Sequence, residues 1–209
     1  MIKIENVEVF GWEATIRGMR NPMNSWDKSD SKTEEIYGIG YEFVLGENDL
    51  KLMNSLSKAG GDHAKFLRMI NVTVDITAPL YWWKEFDTYK VGTVANSCST
   101  MHKIHSKEFT LDDFSCEHLG LEEKDIFENV LYALNWNRNK FLETKDKYYW
   151  WQMIQLLPSS YNQKRTVQLN YQVLKSMYFA RKNHKLDEWR EFCDWVLTLP
   201  YFKEIVLDE

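Results

Sequence analysis

The segment INVTVDITAP, residues 70–79, has the most regular pattern in the chain. Its apolar residues alternate with short polar ones and are rich in β-branched side chains, which is typical of a strand with one buried face. Ala78 and Pro79 end the pattern, because proline cannot donate a hydrogen bond to a neighbouring strand. We therefore predict a strand here, and the aromatic segment Leu80–Phe86 that follows it is predicted to be a helix.

The N-terminal part of the chain adds a strand, a loop and a helix. Apolar residues alternate from Ile2 to Val9, which indicates a strand or a bent pair of strands. The polar stretch 20–35, rich in Asn, Ser, Asp and Lys, is predicted to be a surface loop. Apolar residues at helical spacing over 48–59 predict a helix that ends at Gly60.

The C-terminal half is predicted to be helical. Apolar residues recur there at helical spacing in four stretches, 121–141, 148–157, 165–181 and 186–197. Strands followed by helices indicate the α+β class. Because the chain contains no repeat, low-complexity tract or linker, we predict a single domain over residues 1–209.

Composition limits the classes of function. The chain is 44% hydrophobic and 15% aromatic, which is enough for a full core and for rings that stack on a ligand. A net charge of −5 argues against a general DNA or RNA binder, although a few well-placed cations can still bind a small phosphorylated ligand. The N-terminus has no signal-peptide pattern and no apolar stretch has the length of a membrane span, so we expect a soluble, cytoplasmic protein.

Metal chemistry is not expected from this sequence. The three cysteines are scattered and have no zinc-binding spacing, which indicates reduced thiols. His102, His105 and His118 lie close in sequence, but no cysteine or carboxylate completes a familiar ligand set. We interpret the first two as exposed histidines and predict no metal site.

The segment PLYWWKEFDTYKVGTVANSCSTMH, residues 79–102, combines aromatic, charged and short polar side chains around a glycine. Such a mixture suits a pocket in which rings stack and polar groups fix the ligand's orientation. Composition alone favours a plainer interpretation, an aromatic core helix followed by an ordinary Ser/Thr loop.

This segment resembles the flavin-dependent thymidylate synthases, the ThyX family, and the resemblance extends over about residues 60–200. The family signature R-H-R-x-x-S, which follows a strand ending in Ala-Pro, falls at Thr88–Thr93. Its continuation, N-E-x-S-x-R-Y, falls at Asn96–His102 after a one-residue insertion. The family's V-L-P helix end resembles Leu157–Pro158. The resemblance implies a ThyX-like fold with a central antiparallel sheet flanked by helices and a helical C-terminal half.

The resemblance also implies site residues. Positions that match the family's FAD-binding residues are His63, Tyr89, Lys90, Thr93, Asn96 and Asn170. Positions that match its nucleotide-binding residues are Glu85, Ser99, Thr100 and Arg181. No catalytic residue is assigned, because the family's reaction needs no covalent nucleophile from the protein.

The motif departs from the family pattern at its cations. Thr88 and Lys90 replace two arginines of R-H-R, Gln172 replaces the arginine of N-x-R, and Met101 replaces the arginine that polarises the base. Losing three charge-assisted phosphate contacts would weaken an unchanged pocket by about 4 kcal/mol, about a thousandfold in affinity. The cations that remain as candidates are Lys90, Lys164, Arg165 and Arg181, with Lys84 nearby.

One further replacement bears on the base. Glu85 stands where the family has a nucleotide-contacting glutamine. A carboxylate accepts hydrogen bonds from exocyclic amines, so we hypothesise a ligand base that carries an amino group, cytosine or a purine.

Three functions remain open. The first is a divergent, phage-type thymidylate synthase that methylates dUMP, or a related pyrimidine nucleotide, with FAD, NADPH and methylenetetrahydrofolate. The second is a non-catalytic nucleotide-binding protein on the same scaffold that has lost FAD. The third is a structural or interaction protein in which Tyr81, Trp82 and Trp83 form assembly contacts. Family members are homotetramers, so we expect an oligomer.

Overall fold

A computed structural model describes residues 2–38 and 40–207, which form strands and helices in a mixed order. The strands are β1 (Lys3–Phe10), β2 (Lys32–Ile36), β3 (Gly40–Val44), β4 (Asn71–Pro79), β5 (Val94–Ser97) and β6 (Asn162–Asn170). The helices are α1 (Trp12–Arg20), α2 (Glu47–Ala59), α3 (Leu80–Phe86), α4 (Leu121–Thr144), α5 (Lys147–Leu156), α6 (Tyr171–Arg181), α7 (Asp187–Val196) and α8 (Phe202–Val206).

Four of the strands form one sheet, in the order β1-β4-β6-β5, and β2 pairs with β3 in a second sheet. The β2–β3 pair is antiparallel, with Lys32 opposite Val44 and Glu34 opposite Glu42. Helices and antiparallel strands in one chain confirm the predicted α+β class. None of the helices in the described part of the chain is long and apolar enough to cross a membrane.

The strand predicted from its alternation is β4. Val72, Val74 and Ile76 are fully buried, and the polar residues between them are partly exposed. The strand ends at Pro79, and α3 follows it directly, as predicted. The predicted helices over 48–59, 121–141, 148–157 and 186–197 correspond to α2, α4, α5 and α7.

The prediction of one helix over 165–181 is wrong in its first part. Residues up to Asn170 belong to β6, in which Gln163, Val167 and Leu169 are buried at alternate positions. The Asn170 side chain then accepts a hydrogen bond from the backbone N of Val173 over 3.1 Å, and this cap starts α6. The helical spacing of the apolar residues beyond 170 concealed the strand that precedes them.

The stretch 20–35 is also more ordered than the predicted surface loop. Arg20 ends α1 and is buried against Asp49 of α2, with 2.6 Å between Arg20 Nε and Asp49 Oδ1. Ser29 and Ser31 donate their hydroxyl protons to the other carboxylate oxygen of Asp49, over 2.8 and 2.7 Å. One buried carboxylate therefore fixes this stretch, which then leads into β2.

The chain forms two compact units. The first consists of the N-terminal residues up to Glu5, Asp75–Thr88 and Ala95–Thr166, and the second consists of the remainder. A core cluster in the first unit consists of Ile104, Phe109, Phe114, Leu134 and Met153. An aromatic cluster in the second unit consists of Trp12, Phe43, Tyr171 and Tyr201. The single domain over 1–209 stays a prediction.

Candidate functional site

The first unit contains a hydrogen-bonded network between α3 and β6. Trp83 on α3 is buried and donates its indole N–H to the backbone oxygen of Gln163 over 2.9 Å. The guanidinium carbon of Arg165 lies 4.2 Å from the centroid of a Trp83 ring, and Arg165 Nη1 donates to Asp87 over 2.7 Å. Arg165, one of the cations retained from the motif, therefore already has an aromatic and an anionic partner.

This network positions the residues that follow β5. The Gln163 side-chain amide donates to the backbone oxygen of Cys98 over 2.7 Å, and the backbone N of Cys98 donates to the backbone oxygen of Lys164 over 2.9 Å. Two bonds to β6 thus fix the chain immediately before Ser99 and Thr100. The Ser99 hydroxyl oxygen accepts from the backbone N of His102 over 2.9 Å, which closes a local turn.

Ser99 and Thr100 line a cavity of about 520 Å³ in the first unit. A cavity of this volume is in the range that holds small organic ligands. Two aromatic residues, Phe109 and Tyr161, contribute to its wall, with ring centroids 6.4 Å apart. The charged residues of the wall are Lys103, Lys107, Lys164, Asp112 and Asp113.

The three lysines differ in what neutralises them. Lys107 Nζ pairs with Asp113, and Lys164 Nζ lies 3.1 Å from Asp75 Oδ2. A hydrogen bond to the neighbouring carboxylate is the main cause that raises the pKa of each of these two lysines. Lys103 forms no ion pair with any residue that the structure describes. The wall therefore presents one unpaired ammonium group, that of Lys103, together with the carboxylate of Asp112, which is also in no ion pair among the described residues.

Tyr161 contributes a neutral phenol to the same cavity. Burial is the main cause that raises its pKa, and the negative charge of Asp113 acts in the same direction. The hydroxyl group is therefore protonated at neutral pH, when it can donate a hydrogen bond to a ligand oxygen.

A second cavity of about 470 Å³ also lies in the first unit. Its wall includes Phe114, Cys116 and Lys124. It contains none of the site residues predicted from the sequence, so it is the weaker candidate for a nucleotide site.

The second unit brings together four other predicted residues. Arg181, at the end of α6, donates from Nε to the Tyr89 hydroxyl over 3.0 Å, and its guanidinium carbon lies 4.9 Å from the centroid of the Trp189 ring. Thr93 donates its hydroxyl proton to the backbone oxygen of Tyr89. The Asn170 side-chain nitrogen lies 3.1 Å from the position that a Cβ atom on Gly92 would occupy.

The remaining predicted residues line neither cavity. Glu85 is half-buried on α3 and Asn96 is exposed on β5, both in the first unit. His63 and Lys90 are exposed in the second unit. Of the predicted nucleotide-binding residues, Ser99 and Thr100 thus share a cavity, whereas Arg181 is placed with the predicted FAD-binding residues Tyr89 and Thr93.

Sequence reasoning missed Lys103, Lys107, Asp113 and Tyr161 as residues of this cavity. One signal was present, because Lys103 and Lys107 directly follow the motif, which ends at His102. The two histidines there also differ from each other, since His102 is exposed and His105 is half-buried, with its ring 4.9 Å from that of Phe141. Across the described residues, no group of three His, Cys, Asp or Glu side chains is placed to bind a metal ion.

No protein-family model matches the chain, and no curated protein matches its sequence. Solved structures do match it. A crystal structure of thymidylate synthase X (ThyX) from Helicobacter pylori with FAD and dUMP superposes with a TM-score of 0.71 at 14% identity, over 100% of this chain and 98% of that one. The fold is ThyX-like. A second structure of the Helicobacter pylori enzyme, complexed with FAD and dUMP, gives a TM-score of 0.69 at 15% identity over 98% of this chain and 99% of that one.

The residues at the ThyX-type FAD positions suit such a group chemically. Lys90 offers an exposed ammonium group, His63 an exposed imidazole and Asn96 an exposed amide. These side chains form no hydrogen bonds among the residues described here, so their polar atoms are available to phosphate and ring atoms. The second unit therefore retains a cation and an imidazole suited to FAD, although its cations are fewer than the ThyX motif provides.

Proposed function

We propose that this protein is a divergent enzyme of the flavin-dependent thymidylate synthase type, which binds dUMP or a related pyrimidine nucleotide and methylates it reductively. The observation that carries the proposal is the cavity of the first unit, where Ser99 and Thr100 occur together with three lysines. Hydroxyl groups and ammonium groups are the donors that bind a phosphorylated ligand. The fold, shared with enzymes solved with FAD and dUMP, supports the same activity.

Different residues of the cavity would bind the phosphate and the base of the nucleotide. The lysine ammonium groups and the Ser99 hydroxyl suit the phosphate, because a phosphate offers acceptors alone. The Phe109 and Tyr161 rings suit the base, and the protonated Tyr161 hydroxyl can donate to a base carbonyl. Met101 cannot polarise the base as an arginine would, so this phenol is the candidate for that role.

FAD would be held in the second unit by His63, Tyr89, Lys90, Thr93 and Asn170, and when bound it would supply the hydride that completes the methyl group. NADPH and methylenetetrahydrofolate are the other co-substrates of this activity. The free cysteines Cys98, Cys116 and Cys193 agree with a reducing, cytoplasmic location for it.

The proposed enzyme is a homotetramer. Exposed aromatic residues on α4 and α5 support an oligomer, because Trp and Tyr are enriched in protein interfaces. Tyr132 and Trp136 on α4 and Tyr148 and Trp151 on α5 are 72%, 45%, 60% and 44% exposed. Light scattering during size-exclusion chromatography should give the mass of four chains, and the mass of a single chain would contradict the tetramer.

The experiment that tests the function is flavin reconstitution. The purified protein is incubated with FAD, excess FAD is removed, and the visible spectrum is recorded before and after addition of dUMP. Flavin absorbance that stays with the protein and shifts with dUMP supports the proposal. A colourless protein contradicts it.

A second function has its own supporting observation. Tyr89 and Arg181, which the ThyX resemblance assigns to FAD and to the nucleotide, are bonded to each other. This arrangement favours a nucleotide-binding protein that has lost FAD. A melting temperature that rises with dUMP in a protein that retains no flavin would select this second function.

A further inference from the structure

Three side chains in the wall of the 520 Å³ cavity, those of Ser99, Thr100 and Lys103, carry donors without an acceptor among the described residues, and the Asp112 carboxylate lies in the same wall. Ser99 Oγ accepts from the backbone N atoms of Met101 and His102, over 3.2 and 2.9 Å, which leaves its own O–H to donate. The Thr100 hydroxyl and the Lys103 ammonium group form no hydrogen bond to any residue in the described ranges.

The paired lysine, Lys107, differs from Lys103. Its partner Asp113 also accepts from the backbone N of Thr110 over 2.9 Å, so this carboxylate is fixed in place by its own turn. The Lys107 side chain itself is 67% exposed. This long side chain can turn from Asp113 towards a bound anion, because Asp113, which is only 10% exposed, keeps its hydrogen bond from Thr110 when the lysine moves away.

We propose that Lys103, with the hydroxyl groups of Ser99 and Thr100, binds the phosphate group of the nucleotide, and that Lys107 is its second cation. This assignment rests on the proposed function. In this assignment Lys103 and Lys107 take over the role of the motif's missing arginines. Both lysines follow the motif in sequence, at positions where the ThyX signature has no cation.

The donors identify the class of ligand. Three donors without described acceptors suit a group that accepts hydrogen bonds, and the ammonium groups of Lys103 and Lys107 favour an anion over a neutral group. A phosphate monoester meets both conditions and adds a double negative charge. A nucleoside without phosphate leaves the same donors unpaired, so the site discriminates dUMP from deoxyuridine.

The test uses isothermal titration calorimetry on the full chain at low salt. The test variant is Lys103→Gln, and Lys103→Arg keeps the charge. The matched control is Lys65→Gln, an exposed lysine of the second unit. We expect Lys103→Gln to raise the Kd for dUMP about 10- to 100-fold, as loss of one charge-assisted hydrogen bond does. Lys103→Arg and Lys65→Gln should stay within about threefold of the wild type.

Deoxyuridine separates phosphate binding from base binding. Deoxyuridine should bind the wild type more weakly than dUMP does, and its Kd should be the same for the wild type and for Lys103→Gln. If dUMP binds equally well to both proteins, the assignment of Lys103 is wrong, although the proposed function stands.

Failure of the proposed function gives a different result. If dUMP does not bind the wild type, inorganic phosphate is titrated in its place. Phosphate binding that Lys103→Gln weakens supports an anion site in a protein with another substrate, and phosphate binding that is absent or unchanged by the substitution overturns the assignment.

Discussion

Arg181 donates a hydrogen bond from Nε to the phenolic oxygen of Tyr89 over 3.0 Å. The same guanidinium lies against the face of Trp189, 4.9 Å from the ring centroid. Tyr89 and Trp189 thus orient the delocalised charge of the Arg181 guanidinium within the second unit. Their contribution to stability can be measured independently of any ligand.

Tyr89→Phe removes the acceptor for Arg181 and keeps the ring. We expect the free energy of unfolding to fall by about 1 kcal/mol, the net contribution of one hydrogen bond, as measured by urea denaturation. Tyr132→Phe is the matched control, because Tyr132 is 72% exposed on α4. Equal stabilities of the two variants would show that the Tyr89–Arg181 bond contributes nothing.

Gly92 and Gly38 provide a matched pair of substitutions. Both have φ near +80°, so alanine at either position incurs the same backbone strain of about 1 kcal/mol. A Cβ on Gly92 would lie 3.1 Å from the side chains of Asn170 and Val173, whereas a Cβ on Gly38 would meet no described atom within 4 Å. We expect Gly92→Ala to lower the free energy of unfolding by about 2 kcal/mol and Gly38→Ala by about 1 kcal/mol. An equal loss would contradict the close approach of Gly92 to the start of α6.

Asp49 makes the stability of the second unit depend on pH. Burial raises its pKa, but hydrogen bonds from Ser31, Ser29 and Arg20 outweigh burial and hold the pKa below the ordinary value of 3.8. A carboxylate with a lowered folded-state pKa stabilises the fold fully above the unfolded pKa, and this contribution is lost as the pH falls through the folded value.

Asp49→Asn should therefore reduce the free energy of unfolding by about 3 kcal/mol at neutral pH, because Arg20 is left buried without its counter-charge. The difference from the wild type should shrink as the pH falls below about 4, where Asp49 of the unfolded chain takes up a proton, and should vanish below the lowered pKa of the folded state. Urea denaturation of both proteins over this pH range gives the comparison. A difference that stays constant with pH would mean that Asp49 is not ionised in the folded protein.

Glu85 does not line the 520 Å³ cavity, so its role in base selection rests on the ThyX resemblance alone and can be tested by itself. Its carboxylate accepts hydrogen bonds from an exocyclic amine and repels a carbonyl oxygen, so we expect dCMP to bind more tightly than dUMP. Glu85→Gln should reverse or abolish this preference by restoring the ThyX-type amide, with a change of about tenfold in the ratio of the two Kd values. Equal binding of dUMP and dCMP to the wild type would count against a role for Glu85 in base selection.

Strong local patterns were readable from the sequence. β4 was predicted because burial of one face imposes strict alternation, and α2 because Gly60 marks its end. β6 was missed because its buried positions are followed directly by the helical spacing of α6. The buried Arg20–Asp49 pair was missed for another reason, since charged residues in a polar stretch indicate a surface until a distant helix supplies their partner.

The candidate site was predicted only in part. Ser99 and Thr100 were found through the spacing of a damaged motif, and they share a cavity. Lys103 and Lys107 are marked only by their place directly after the motif, and Tyr161 carries no local signal of a site, because the fold alone brings the start of β6 and the turn after β5 to one wall. Arg165 differs in the other direction. The sequence marks it as a candidate for phosphate binding, and in the structure its guanidinium contacts Trp83 and Asp87.

Product formation decides whether this protein is a thymidylate synthase. The FAD-reconstituted protein is incubated with dUMP, NADPH and methylenetetrahydrofolate, and the nucleotides are separated by mass. We expect dTMP from the wild type and a reduced rate at low dUMP concentration in Lys103→Gln. Flavin-loaded protein that binds dUMP and forms no methylated nucleotide, from dUMP or from dCMP, would contradict the proposed enzyme.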